Sequence, residues 1–150
     1  MKYENKIFNL FQNGYLNTKD VVNNNIPRFY LTKLTKENKI ERVSRGIYVR
    51  KNELVDEFVI LQSKSKNAIY SNATALYLYG LSNRIPIKYD IAINNGYNGS
   101  LQKNKSVNLF YTKRELLNLG VINHKLDSGN VIRMYDLDKT ICDIIKNKKK

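Results

Sequence analysis

The sequence predicts an α+β fold in which an N-terminal winged helix-turn-helix is followed by a mixed α/β domain. Three short helical patterns precede two strand-like runs around a glycine turn within the first 50 residues, and short strands and helices alternate afterwards. A length of 150 residues suits one good-sized domain or two small ones. We therefore predict a winged-helix domain over 1–50, a polar linker over 51–56 and a second domain over 57–150.

Three helices are predicted before residue 39. Apolar residues at helical spacing predict a first helix over 3–13, with Gly14 as its C-cap. Thr18 is the expected N-cap of a second, short helix. Pro27 suits the first position of a third helix, which Asn38 ends.

Strand-like runs predict a hairpin directly after the third helix. The runs cover 39–43 and 47–49, and the turn between them is Ser44-Arg45-Gly46.

Beyond residue 56 the same reasoning predicts four helices and five strands. The helices are 57–62, 73–79 capped by Asn72, 115–119, and one that Asp136 or Asp138 caps and that runs to 145. The strands are 68–70, 89–93, 107–111, 121–126 and 131–135.

The net charge favours a polyanionic partner. Lys and Arg total 26 against 13 acidic residues, which gives +13. Residues 1–50 hold ten basic and four acidic side chains, whereas residues 51–145 hold twelve and nine. Lys146–Lys150 adds four more basic residues, which we interpret as a solvated terminus. An excess concentrated in the first third predicts contact with nucleic acid.

Composition argues against metal, disulfide and membrane chemistry. The single cysteine, Cys142, allows neither an internal disulfide nor a cysteine-based zinc site, and we expect it to be buried and inert. His124 is the only histidine, so we predict no metal and no cofactor. No apolar stretch approaches the roughly 20 residues that span a membrane. We expect a cytoplasmic protein that does not associate with membranes.

Cationic and hydroxyl side chains on the third helix and the hairpin predict a surface that contacts double-stranded DNA. Those facing away from the apolar stripe of the helix can reach base edges and phosphates, and a wing favours arginine along the backbone or minor groove. The predicted DNA-binding residues are Arg28, Phe29, Thr32, Lys33, Lys36, Arg42, Ser44 and Arg45. Arg50 flanks the same hairpin. Two alternatives remain, a solvated polar face and a Phe29 that packs against the first helix.

Two other patterns point more weakly to chemistry. Gly96-Tyr97-Asn98-Gly99 is interpreted as a turn, because it lacks the Lys-Ser/Thr of a phosphate loop and does not join two helices as a KH clamp does. Asp136, Asp138 and Asp143 could serve a metal-dependent nuclease together with Asp90. Helix capping explains the first two aspartates more simply. We therefore predict no enzymatic activity.

Short motifs follow one another in a specific order along both halves. In the first half they are Gly14-Tyr15-Leu16-Asn17-Thr18-Lys19-Asp20, Arg28-Phe29-Tyr30-Leu31 and Glu41-Arg42-Val43-Ser44-Arg45-Gly46-Ile47-Tyr48. In the second half they are Tyr70-Ser71-Asn72-Ala73-Thr74-Ala75-Leu76, Gly80-Leu81-Ser82, Arg84-Ile85-Pro86, Gly96-Tyr97-Asn98 and Tyr135-Asp136-Leu137-Asp138-Lys139-Thr140-Ile141-Cys142-Asp143. Together these motifs resemble the AbiEi family of antitoxins and transcriptional regulators, over about residues 12–146.

The resemblance implies a DNA-binding antitoxin that represses its own type IV toxin–antitoxin operon in phage defence by abortive infection. The implied partners are the operon's own operator, with inverted repeats, and a toxin of the nucleotidyltransferase fold that need not be contacted directly. Family members usually continue through further helices after the one that carries Asp143, which implies a shortened second domain here. A protein-interaction antitoxin without specific DNA binding stays open as an alternative, and a nuclease is less favoured.

Overall fold

Helices and two β-sheets make up the described part of the chain, which therefore contains both α and β structure, as predicted. The computed structural model describes residues 2–53 and 56–148, and the chain divides into two compact units, Met1–Ile60 and Leu61–Lys150. The predicted linker includes residues 54 and 55 and the charged tail includes residues 149 and 150, all of which lie outside the described residues. The domain boundaries at 50 and 57 stay a prediction.

The first unit carries its helices before its hairpin. Its elements are α1 (Lys2–Asn9), β1 (Leu16–Asn17), α2 (Thr18–Asn23), α3 (Phe29–Lys36), β2 (Ile40–Ser44) and β3 (Ile47–Arg50). The strands form an antiparallel sheet in the order β1-β3-β2. The predicted hairpin is therefore present, and the two-residue strand β1 adds a third strand to it. Helix α4 (Glu57–Ser63) contains the point at which the two units divide.

One apolar cluster holds the first unit together. Each helix and two of the strands contribute at least one fully buried side chain to it. These side chains are Ile7, Leu16, Val21, Ile26, Leu31, Leu34 and Ile40. Burial of such aliphatic side chains stabilises the fold by about 1.5–3 kcal/mol each. The cluster fixes the rotation of α3, since Leu31 and Leu34 point inward.

Helix α1 is shorter than predicted, and Gly14 does not cap it. The helix ends at Asn9, and Asn13 and Gly14 both adopt the left-handed conformation, with φ of 58° and 85°. The backbone groups of Gln12 and Tyr15 exchange hydrogen bonds of 2.9 and 3.1 Å across these two residues. Asn-Gly favours such a tight turn because both residues tolerate positive φ. The turn reverses the chain so that it can enter β1.

The ends of α2 and α3 differ from prediction by one or two residues. Asn17, not Thr18, caps α2, because its side-chain oxygen accepts a hydrogen bond of 3.0 Å from the Lys19 N–H. Helix α3 begins at Phe29 rather than at Pro27. At its C-terminus Asn38 has φ of 59°, and the Lys39 N–H bonds to the Leu34 carbonyl at 3.0 Å. This left-handed termination is the end that Asn38 predicted.

A five-stranded mixed sheet forms the centre of the second unit. The elements are β4 (Ile69–Tyr70), α5 (Asn72–Leu78), β5 (Tyr89–Asn94), a 3-10 helix (Ser100–Lys103), β6 (Val107–Thr112), α6 (Arg114–Leu117), β7 (Val121–Lys125), β8 (Val131–Tyr135) and α7 (Leu137–Lys148). The strand order is β6-β5-β4-β8-β7, with β5/β6 and β4/β8 parallel and the other neighbours antiparallel. Every predicted strand of this region is present. The 3-10 helix was not predicted, and α5 follows Ser71 rather than a capping Asn72.

Helix α7 packs against α5 and begins at an aspartate cap. The Lys139 N–H donates to the Asp136 carboxylate at 2.8 Å, so Asp136 is the cap of the two candidates. Thr140 is fully buried on the packed face. The expectation of a buried Cys142 was wrong, since its side chain is exposed. Ile141, Ile144 and Ile145 lie close to it in the sequence, but helical geometry turns residue 142 away from the face that carries residue 140.

Among the described residues, no helix combines the length and the apolar character that crossing a bilayer requires.

Candidate nucleic-acid interface

Helix α3 presents a polar face opposite its buried stripe. Phe29, Thr32 and Lys36 are exposed, and Lys33 is half-buried. Their spacings of three and four residues place all four side chains on one face of the helix. Arg28, the residue before the helix, is also exposed. The structure thus brings the five predicted residues of this region to one side, while their role in binding DNA stays a prediction.

An aromatic stack supports the N-terminal end of this face. The centre of the Phe29 ring lies 4.2 Å from the centre of the Tyr30 ring. The Tyr30 ring centre in turn lies 4.8 Å from that of Tyr3 on α1. Phe29 itself remains 59% exposed. The alternative in which Phe29 packs against the first helix is therefore wrong, because Tyr30 makes that contact. A ring held in this way offers an apolar surface of the kind that meets a thymine methyl group.

A second contact fixes α1 relative to the end of α3. The Lys39 ammonium lies 2.6 Å from the Glu4 carboxylate and 3.5 Å from that of Glu37. This hydrogen bond lowers the pKa of Glu4 and raises the pKa of Lys39, and the charge of Lys33 also lowers that of Glu4. Lys39 and, in part, Lys33 therefore balance acidic side chains of their own unit. Lys36 and Arg28 are the stronger candidates for phosphate contact.

The hairpin places its own polar residues near its tip. Arg42 and Arg45 are exposed, Ser44 is half-buried, and the Arg42 Nε donates to the Ser44 carbonyl at 3.4 Å. The pairing of β2 with β3 shifts by one residue between Arg42 and Ser44, which is a β-bulge. Gly46 completes the turn with φ of 75°. Bulges increase local twist and redirect side chains, and this one lies where the arginines are.

The tip of the hairpin is tied to the start of α2. The Thr18 N–H donates to the Gly46 carbonyl at 2.9 Å. Lys19, which follows Thr18, is exposed in the first turn of α2 and thus adjoins the turn that carries Arg45. The DNA-binding residues predicted from the sequence do not include Lys19. The signal available was a lysine two residues after the Asn17 cap, but its closeness to the hairpin depends on the tertiary contact.

Arg50, beside the hairpin, has two contacts within the first unit. Its guanidinium lies 4.4 Å from the centre of the Phe11 ring, and one of its nitrogens lies 3.6 Å from the Glu53 carboxylate. A cation held over a ring and beside a carboxylate already has partners within the fold. These contacts hold Arg50 within the first unit, and its part in binding DNA stays a prediction.

The segment that contains these helices and the hairpin matches the model of a known protein family. Residues 5–51 match the family model described as transcriptional regulator, AbiEi antitoxin. The resemblance to AbiEi antitoxins is thereby confirmed over the segment that contains α2, α3 and both hairpin strands. The matched segment is less than half of the chain, and the motifs after residue 51 lie outside it. No curated protein matches the chain.

Potential catalytic groups of the second unit are engaged in structure. Across residues 2–53 and 56–148, no group of three metal-binding side chains of the His, Cys, Asp or Glu type comes together. Asp136 caps α7, and Asp143 pairs with Lys139 at 2.7 Å. The loop that begins at Gly96 is closed by its own Tyr97, whose hydroxyl accepts a hydrogen bond of 3.1 Å from the Leu101 N–H.

Asp90 is a buried carboxylate that holds α5 to the sheet. It accepts hydrogen bonds of 3.2 Å from the Ala73 N–H and from the Asn108 side chain, and its own N–H donates to the Thr74 hydroxyl at 2.8 Å. Burial raises the pKa of Asp90, an effect that the two hydrogen bonds oppose in part.

We expect Asp90→Ala to lower the free energy of unfolding of the second unit by about 1–3 kcal/mol, because two hydrogen bonds to a buried carboxylate are lost. The measurement is urea unfolding followed by the amide NMR signals of residues 61–148. Asp90→Asn is the control, since it keeps the volume and one acceptor, and should cost less.

The pH dependence of the free energy of unfolding, compared between the wild type and Asp90→Asn, gives a second check. A folded pKa raised above the unfolded value means that the folded state binds the proton more tightly. Stability from this group therefore increases as pH falls from above the folded pKa to below the unfolded pKa. Asp90→Asn should remove that contribution, and an unchanged pH profile would contradict the account of Asp90.

Proposed function

We propose that this chain is a DNA-binding antitoxin that represses its own toxin–antitoxin operon and counteracts a nucleotidyltransferase-type toxin. In this proposal the first unit is a winged helix-turn-helix, α3 is the recognition helix and the β2/β3 hairpin is the wing. The chain acts in the cytoplasm without an enzymatic activity of its own. The antitoxin part rests on the family match, and the DNA-binding part also rests on geometry.

The observation that carries the proposal is the exposed cationic face of α3 on a buried apolar cluster, followed by a hairpin with arginines near its tip. Three helices and a three-stranded sheet in this order suit a winged helix. The width of the major groove admits one helix, and its side chains then read base edges. Thr32, Phe29 and Lys36 supply hydroxyl, apolar and cationic groups for that reading.

Arginine and lysine outside α3 would position the unit on the duplex. Arg42 and Arg45 at the hairpin and Lys19 at α2 carry exposed charges that suit phosphate oxygens or a narrow minor groove. Such contacts fix orientation and do not by themselves read sequence. Specificity in this proposal therefore comes from α3.

The test is a fluorescence-anisotropy titration of the full chain against the DNA upstream of its own gene. The control is a scrambled duplex of equal composition, and both are titrated at two salt concentrations. We expect a preference of about a thousandfold or more for the upstream DNA. Equal and steeply salt-dependent binding to both duplexes would contradict operator recognition and would favour an antitoxin that acts through protein contacts.

A further inference from the structure

One face of α7 is both apolar and exposed. Leu137, Ile141 and Ile145 follow one another at intervals of four residues, and their side chains are 36%, 44% and 56% exposed. This spacing aligns them in one stripe along the helix. The buried Thr140 lies on a different face, which packs into the second unit. Helix α7 thus buries one side in its own unit and presents an apolar stripe to solvent.

The exposed side of α7 carries opposite charges at its two ends. Asp138 lies in the first turn and Lys146 near the last, and both are exposed. The other charged pair of the helix, Lys139 and Asp143, forms an ion pair of 2.7 Å within the chain. A second α7 packed in parallel would bring like charges together. In an antiparallel arrangement each Asp138 would lie beside the Lys146 of the other copy.

We propose that the exposed face of α7 is a homodimer interface, in which α7 packs antiparallel on the α7 of a second copy of this chain. The two-fold axis crosses the helix near residues 141 and 142, so Leu137 of one copy packs near Ile145 of the other. A two-fold interface must be self-complementary. The charges of Asp138 and Lys146 meet this requirement, because each would lie beside the other in an antiparallel pair. Antiparallel helix dipoles also favour the arrangement.

The size of the stripe sets the expected strength of the dimer. Stable interfaces bury about 1,600 Å² in total, and one pair of short helices provides less. The dimer should therefore be weak and should depend on protein concentration. The proposed dimer is a claim separate from operator binding. Because dimer formation is measured without DNA, its absence would not contradict the proposal that the chain binds its operator.

The first test is sedimentation equilibrium of the full chain without DNA, from about 1 µM to about 500 µM. We expect the mass to rise from the monomer value of 17.5 kDa towards twice that value. Ile141→Asp should raise the dissociation constant by about tenfold or more, because it places a charge at the centre of the stripe. Ile141 is 44% exposed, so the variant should keep its fold, which circular dichroism checks. A monomer at every concentration, or a dimer unaffected by Ile141→Asp, would overturn the proposal and would leave the stripe to a partner of another sequence.

A charge exchange tests the antiparallel orientation. Asp138→Lys and Lys146→Asp should each weaken the dimer by about threefold to tenfold, and the double variant should recover most of the loss. In a parallel pair each position would face its own counterpart, so neither single exchange would change the number of like-charge contacts and there would be no loss to recover. Failure of the double variant to recover would overturn the antiparallel arrangement.

Cys142 provides an independent readout near the proposed axis. It is the only cysteine of the chain, and its side chain is exposed. A short bis-maleimide should join two copies of the wild-type chain through this thiol and should fail with Ile141→Asp. Cys142→Ser controls for reaction at other groups. Equal cross-linking of wild type and Ile141→Asp would show random collision and would count against the interface.

Discussion

The double variant Arg28→Ala/Lys36→Ala should bind the operator much more weakly than the wild-type chain and with a flatter salt dependence. Both side chains are exposed on the polar side of α3, and neither is placed in the apolar core. Loss of about tenfold in affinity per residue, or about 1.4 kcal/mol each, is the expected scale. If both contact phosphates, the slope of log K against log salt should fall by about 2.

The matched control removes the same charge from the other unit. Lys103 and Lys105 are exposed and lie outside the matched segment, so Lys103→Ala/Lys105→Ala lowers the net charge equally. Anisotropy titrations at several salt concentrations compare the two double variants. The control should keep the wild-type slope and nearly the wild-type affinity. Equal losses in both would mean that binding depends on total charge, and α3 would not be the recognition helix.

We choose Arg28 and Lys36 rather than Lys33 for a structural reason. Lys33 is half-buried and its charge acts on Glu4, which Lys39 holds at 2.6 Å. Replacing Lys33 would therefore also remove a charge that acts on Glu4, in addition to changing the face of α3. Its effect on DNA binding could not be assigned to a lost phosphate contact.

Helical periodicity was enough to predict which side of α3 is exposed. Leu31 and Leu34 face the core and Thr32 and Lys36 face solvent, because a period of 3.6 residues fixes relative direction once the apolar stripe is known. The hairpin could be predicted from the sequence in the same way, because both runs contain residues that favour strands and Gly46 marks the turn. Local sequence thus predicted the elements of the candidate site and their polarity.

Tertiary contacts account for what the sequence could not predict. The strand β1 has only two residues and exists because Leu16 pairs with Tyr48 of β3. Arg50 looked like a hairpin cation, but the ring of Phe11 and the carboxylate of Glu53 hold it. The partners that decide these two cases, Tyr48 for Leu16 and Phe11 for Arg50, are distant in the sequence. A two-residue strand is also too short to give a periodic pattern.

The wrong prediction that Cys142 is buried has a different origin. Neighbouring isoleucines suggested an apolar environment, but Ile141 and Ile145 are themselves exposed. An apolar stripe on a helix does not reveal whether its own chain covers it. Helix α7 buries Thr140 on its packed side and exposes its apolar stripe, and only the structure distinguishes the two sides.

Leu34→Ala should destabilise the first unit by about 2–5 kcal/mol. Leu34 is 1% exposed within the apolar cluster, so truncation leaves a cavity beneath α3. A domain of this size has only about 0.05–0.15 kcal/mol of stability per residue, and the loss is therefore a large part of the total. Urea unfolding followed by the amide NMR signals of residues 2–53 measures it. Leu34→Met, which nearly conserves volume, should cost less than about 1.5 kcal/mol.

The same variant separates loss of fold from loss of contact. Leu34→Ala leaves Arg28, Lys36 and the hairpin arginines in place, so every folded molecule still makes all its phosphate contacts. The apparent dissociation constant should rise by the reciprocal of the folded fraction, while the salt slope stays at the wild-type value. Arg28→Ala/Lys36→Ala should do the opposite, with an unchanged unfolding midpoint and a reduced slope. A flattened slope in Leu34→Ala would mean that α3 is not held by this core in the DNA-bound state, and the recognition-helix proposal would lose its structural basis.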